Sequence, residues 1–382
     1  MIKRILYTLL IMFPVLASAQ INTDRVMAIG RNALYFEDYV LSIQYFNQVI
    51  NAKPYLSDPY FYRGLAKINL DDFQGAESDC SEAIERNPFV VSAYQVRGLA
   101  RIQQNNFAGA IEDYTKALEF DPENIGVWHN MALCRIRQED YKGAKNDLDK
   151  LIAISPRYTK AYLMRGEVDL KQKDTLAAEK DFGKAIEIDR YDADTWASRA
   201  ILRLQQQRYK DAEADFDHAI RLSTRNSGVY INRALARYHQ NNLRGAMSDY
   251  DIALDIDPNN FIGHYNRGLL RAQVGDDNRA IQDFNFVIEM EPDNMMAIFN
   301  RGLLLDQTGD YKGAIKDYST VINEYPNFLL GYQYRAQARR KIGDVKGADA
   351  DEFKVLKAQL DKQNGVDPNK QTADNTENNK TR

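Results

Sequence analysis

The sequence predicts an all-α fold, a solenoid of ten helix–turn–helix repeats. Three features predict it: a proline that returns every 34 residues, small residues at two fixed phases, and aromatics at two others. Pro54, Pro88, Pro122 and Pro156 keep the beat. Arg190 and Thr224 stand where the next two fall, and Pro258, Pro292 and Pro326 resume it. With that residue numbered 32, repeats begin at Thr23, Ser57, Val91, Ile125, Thr159, Ala193, Ser227, Phe261, Met295 and Leu329, without an insertion.

Each phase has a structural reading. Position 8 is Gly or Ala in every repeat, from Gly30 to Ala336, and position 20 is Ser42 in the first repeat and alanine thereafter, from Ala76 to Ala348. Position 4 is mostly aromatic (Tyr60, Tyr94, Trp128, Tyr162, Trp196, Tyr230, Tyr332). So is position 24 (Phe46, Tyr114, Phe182, Phe216, Tyr250, Phe284, Tyr318). Positions 4, 8 and 11 are expected on one face of a first helix, and 20, 24 and 27 on one face of a second. Small residues let the two backbones approach, and the rings fill the space around them. Position 16 is Asp or Asn in all repeats but the sixth, which predicts an N-cap for each second helix. Proline at position 32 ends the pair and turns the chain into the next.

This pattern resembles the tetratricopeptide repeat (TPR) family, over residues 23 to about 360. The resemblance implies a right-handed superhelix whose first helices line a concave groove, and a role in binding other proteins or peptides. Physically, one helix pair cannot bury both of its apolar faces, so stacking supplies the core. The tenth repeat departs from the pattern, with Glu352 at position 24 and Lys357, Ala358 and Gln359 late in its second helix. A polar capping helix is expected there.

The two ends fall outside the repeats. Lys3 and Arg4, an apolar run from Ile5 to Leu16 and the small residues Ala17-Ser18-Ala19 have the layout of a secretory signal peptide, residues 1–19. The run is too short to span a bilayer and contains Pro14, and no other stretch is long and apolar enough, so no membrane span is expected after cleavage. The Ala-Ser-Ala-Gln ending resembles that of exported proteins from Bacteroidetes-type bacteria, which implies a periplasmic, cell-surface or secreted chain. Residues 365–382 form a polar tail expected to be disordered.

Composition narrows the function class. Fifty basic and 54 acidic residues give a net charge of −4, with no clustered basic face for nucleic acid. Cys80 and Cys134 occupy non-equivalent helices two repeats apart, so both are expected as unbridged core residues. His129, His218, His239 and His264 show no i, i+4 pair, and no Gly-rich phosphate loop or G-x-S-x-G motif appears. No cofactor, no metal site and no enzyme activity are expected.

Two features inside the frame carry information. Position 7 is Arg63, Arg97, Arg165, Arg199, Arg233, Arg267, Arg301 and Arg335, while position 23 is aspartate from Asp79 to Asp351; repeat four keeps Asp147 but has Met131. A buried guanidinium needs a partner, so a two-toothed Arg–Asp staple is expected, with a ligand-gripping charge ladder as the alternative. Position 6 is uneven, and Asn232, Asn266 and Asn300 fall in three consecutive repeats. They resemble the asparagine ladder lining the TPR superhelix of O-linked N-acetylglucosamine transferases, whose carboxamides would grip a peptide backbone; a merely solvated polar position fits as well. Tyr265, Phe299 and Leu269 are the candidate apolar contacts beside them. The reading is therefore a non-catalytic scaffold of the bacterial cell envelope holding a peptide or partner domain in its groove. Alternatives are an envelope assembly subunit working through its convex face or by end-to-end stacking, and a sugar-binding accessory protein. The oligomeric state is left open.

Overall fold

The computed structural model describes residues 22–363, so the expected signal peptide and polar tail lie outside the described residues. Twenty α-helices and their turns account for the described residues, with no strand among them. They form two compact units. The first holds α1 (Thr23–Tyr35), α2 (Tyr39–Ala52), α3 (Asp58–Ile68), α4 (Phe73–Arg86), α5 (Val91–Gln103), α6 (Phe107–Phe120), α7 (Ile125–Arg137), α8 (Tyr141–Ile154), α9 (Thr159–Lys171) and α10 (Thr175–Ile188). The second holds α11 (Ala193–Gln205), α12 (Tyr209–Leu222), α13 (Ser227–His239), α14 (Leu243–Ile256), α15 (Phe261–Gln273), α16 (Asp277–Met290), α17 (Met295–Thr308), α18 (Tyr311–Glu324), α19 (Leu329–Lys341) and α20 (Val345–Gln363). Within each unit every helix packs on its successor, as antiparallel pairs joined by tight turns do.

The turn inside each pair is built the same way in every repeat but the ninth, where α17 runs one residue longer. Position 15 adopts a left-handed backbone, with φ near +60° at Glu37, Asp71, Asn105, Glu139, Lys173, Gln207 and Asn241, and +82° at Gly275. The amide of position 16 then donates to the carbonyl of position 11, as Asp38 does to Ala33, closing the first helix in a Schellman-type cap. The side chain at position 16 opens the second helix by accepting from the amide three residues on. Asp72 takes Gly75 at 2.9 Å and Asp140 takes Gly143 at 3.0 Å. Arg208 and Asp276 are the exceptions, with no side-chain cap.

Close helix approach is visible at position 8. A Cβ on Gly166 would stand 2.6 Å from the Phe182 ring, so the glycine makes room for the aromatic at position 24. The first-helix residue that completes the core is position 10, not position 11. Ala66, Ala100, Cys134, Val168, Leu202, Ala236, Leu270, Leu304 and Ala338 are all buried. Cys80 and Cys134 are both free and buried, and burial pushes the Cys80 thiol up to about 12.

The Arg–Asp staple is present and larger than the sequence suggested. In repeat eight Arg267 donates to both oxygens of Asp283, at 2.8 and 3.1 Å. The same fork recurs from Arg63–Asp79 to Arg335–Asp351. Except at Arg199, which follows Gly183, the third guanidinium nitrogen reaches back to position 25 of the preceding repeat, as Arg267 does to Asp251 at 2.8 Å and Arg63 to Asn47 at 2.6 Å. Position 11 also brings a cation to this aspartate, as a second one through Lys67, Arg101, Arg203, Arg237, Arg271 and Arg339 and as the sole one through Arg135 in repeat four. Because these carboxylates are buried and already bonded, they are joints between helices and not a ladder offered to a ligand.

Candidate functional site on the first helices of repeats seven to nine

The candidate residues lie on α13, α15 and α17, at positions 5, 6 and 9; position 5 is buried at Ile231 and Phe299 and half-buried at Tyr265. Asn232, Asn266 and Asn300 are all half-buried. The carboxamides of Asn232 and Asn266 make no hydrogen bond among the described residues. That of Asn300 donates to the Tyr265 hydroxyl at 3.1 Å. Tyr265 is half-buried, its ring edge-on to Phe284 at 5.8 Å. Burial raises its hydroxyl above the ordinary tyrosine range, and the Asn300 bond pulls it partly back. Leu269 is exposed beside them.

Phe299 requires a correction. It was expected as an apolar anchor for a partner, but it is only 8% exposed. Phe328, Tyr318 and Tyr334 surround it at 5.1, 5.7 and 5.8 Å between ring centres. Its remaining edge helps line an apolar hollow of 280 Å³ with Met296, Tyr325, Phe328 and Val321. Met296 and Tyr325 are the exposed members of that hollow, and neither is among the residues expected from the sequence. The available signal was two adjacent methionines at the start of a repeat and an aromatic just before Pro326.

Asp306, at position 12 of α17, accepts from Lys341 at 2.9 Å through Oδ2, while its Oδ1 and the Tyr318 hydroxyl are buried without a partner among the described residues. His264 fills the aromatic position 4 as expected of a core residue. It lies within 3.0 Å of both the Pro258 carbonyl and Asp283, and its ring stacks on Phe286. Its two nitrogens are thus committed to the frame. Among the described residues no group of His, Cys, Asp and Glu has metal-binding geometry, and no helix is long and apolar enough to cross a membrane.

Comparison with known families now bears on the repeat geometry. Models of the tetratricopeptide repeat match residues 125–158, 159–192, 198–261 and 265–327, and a TPR repeat model matches 98–134. The chain belongs to the tetratricopeptide repeat family. A solved tetratricopeptide repeat protein from Parabacteroides merdae superposes with a TM-score of 0.51 at 21% identity, covering 65% of this chain and 98% of that one. The C-terminal part of a TPR repeat-containing protein from Cytophaga hutchinsonii gives a TM-score of 0.52 at 17% identity, over 62% of this chain and 97% of that one. At these identities the likeness is one of fold. No curated protein matches the chain. TPR proteins bind other proteins or peptides, and this chain carries that interaction scaffold.

Proposed function

We propose that the tetratricopeptide scaffold is exported to the cell envelope and holds an extended peptide segment of a partner protein on the first helices of repeats seven to nine. The observation that carries this reading is the pair of half-buried carboxamides, Asn232 and Asn266, which sit one repeat apart with no partner of their own. A carboxamide donates and accepts at once, so a row of them can follow a peptide backbone whatever its side chains. Exposed Leu269 beside them supplies apolar contact, and the Asn300–Tyr265 bond fixes a third amide in place. Phe299 contributes as the floor of the Met296–Tyr325 hollow, which suits an apolar side chain of the peptide.

Export rests on residues 1–19. Cell fractionation with N-terminal sequencing checks it: the chain is expected in the envelope or medium, beginning at Gln20, and a cytoplasmic chain retaining Met1 removes the proposal. Binding is tested by selecting peptides from a random display library on the purified protein and measuring affinity by titration. With Asn232, Asn266 and Asn300 all changed to Ala, selected peptides should bind at least tenfold more weakly, a loss of about 1.4 kcal/mol. Unchanged affinity of the triple variant overturns the site while leaving the fold intact.

A further inference from the structure

The two terminal helices treat the face where the next repeat would stack in opposite ways. On first helices, positions 3 and 10 are buried in repeats two to ten, as at Ala93 and Ala100 or Ala297 and Leu304. In repeat one the same positions are Arg25 and Asn32, both exposed, so α1 carries a polar finish. On second helices the matching contact is position 28, aliphatic in all ten repeats. In the second unit it is 6% exposed at Leu254 and 3% at Ile322, where the next first helix covers it.

α20 is not finished that way, and the expectation of a polar capping helix is corrected. Leu356 at position 28 is 53% exposed. Position 25, a polar residue or glycine in the nine other repeats, is Phe353, 66% exposed. Position 32, where proline usually stops the chain, is Leu360, so the helix runs for 19 residues where α18 has 14. Leu360 itself is 48% exposed. Residues 353, 356 and 360 follow the spacing of one helical stripe. The helix is longer by more than a turn, and the extra turn carries an apolar residue left half exposed among the described residues.

We propose that this stripe pairs with the same stripe of a second copy, as a parallel two-stranded contact about a twofold axis. Polar α1 of another copy cannot cover it, since Arg25 and Asn32 would be buried without partners, so open head-to-tail stacking is disfavoured and an isologous contact closes at two. The flanking charges fit that geometry. Glu352 and Lys357 border the stripe on opposite sides, five residues apart. In a parallel pair each Glu352 meets the partner copy's Lys357, the relation that sets orientation in coiled coils. Glu352 is bonded by Arg340 at 2.7 and 2.9 Å, which holds its carboxylate in place while leaving it half exposed. Two such stripes bury roughly 1,000 Å², at the small end of specific interfaces, so dissociation in the micromolar range is expected.

Sedimentation velocity of the full chain over a concentration series tests the proposal. Wild type should pass from monomer to dimer. Phe353→Glu with Leu360→Glu should stay monomeric with unchanged helical ellipticity and melting temperature. Glu352→Lys alone and Lys357→Glu alone should each weaken association at least tenfold, and the two together should restore it. A wild type that stays monomeric overturns the pairing, whether the segment after Gln363 or another protein takes the stripe. A higher oligomer, or a charge-swapped double variant that fails to recover, overturns it too.

Discussion

In repeat eight the buried Asp283 receives Arg267, Arg271 and His264; in repeat four its counterpart Asp147 receives Arg135 alone, because Met131 stands where the arginine belongs. The frame is the same and the carboxylates are equally buried. Their protonation differs. Burial alone would raise Asp283, but bonds from His264 and Arg267 hold it below the ordinary carboxylate range. At Asp147 burial prevails over the single arginine, nearby Asp140 adds to the effect, and the carboxyl is pushed up to about 7. Its Oδ2 is buried with no partner among the described residues. A repeat therefore tolerates losing one donor, at the cost of a carboxylate that resists ionisation.

Breaking the complete node should have the largest effect. Arg267→Leu leaves Asp283 with two partners and Asp251 with one fewer, and is expected to cost about 3 kcal/mol, the low end for removing one member of a buried ion pair. Adding Asp283→Ala should recover part of that loss, since an absent carboxylate needs no counter-charge. Urea unfolding followed by circular dichroism measures both. A single variant as stable as wild type shows that the staple contributes nothing.

Completing the deficient node should have a smaller effect of opposite sign. Met131→Arg places a guanidinium beside Asp147, and charge-assisted bonds of this kind contribute about 1.5–3 kcal/mol, of which lost packing around Met131 takes a share. The gain should depend on pH. In wild type the folded state holds a proton on Asp147 that the unfolded state has released, from about pH 4 up to about pH 7. Its contribution to stability is present at low pH and is lost as pH rises to about 7. Met131→Arg should therefore stabilise more at pH 8 than at pH 5. Equal gains at both values would show that Asp147 ionises normally in the native protein.

The contrast also shows which parts of the molecule were legible. The fork between positions 7 and 23 could be read because both residues repeat, and an arginine in an apolar frame demands a counter-charge. Position 11 was misread as core because the i, i+7 rule put it on the face of positions 4 and 8; a long cation there buries its stem and carries its head to the aspartate. The acceptor at position 25 was invisible because its identity varies: Asn47, Ser81, Asp149 and Asp217 share only the ability to accept. At the candidate site, periodicity marks Asn232, Asn266 and Leu269 only as lying outside the repeated core positions. It could not weigh Phe328 and Tyr334, which close over Phe299 from later in the chain. The end of α20 was misjudged by composition. Glu352 and Lys357 are polar, yet they flank the stripe made by Phe353, Leu356 and Leu360.

The smallest expected effect concerns polarity at the junction after repeat four. After repeats two and six a glutamate at position 21 meets the cation at position 11 of the next repeat, as Glu77 meets Arg101 at 2.8 Å and Glu213 meets Arg237 at 2.7 Å. After repeat four the signs are exchanged, with Lys145 on Asp169 at 2.5 Å. Asp169 is buried, so Lys145→Glu alone sets two carboxylates together and should destabilise. Asp169→Arg alone should also destabilise, by facing Lys145. The double variant rebuilds the arrangement found after repeats two and six and lets the new guanidinium reach Asp181, as Arg101 reaches Asp113. Its stability should fall within about 1 kcal/mol of wild type, with a coupling energy of about 2 kcal/mol from the double-mutant cycle. If the double variant is as unstable as either single, the junction depends on the particular side chains and not on opposite charge at positions 21 and 11, and the comparison between repeats would have to be made residue by residue.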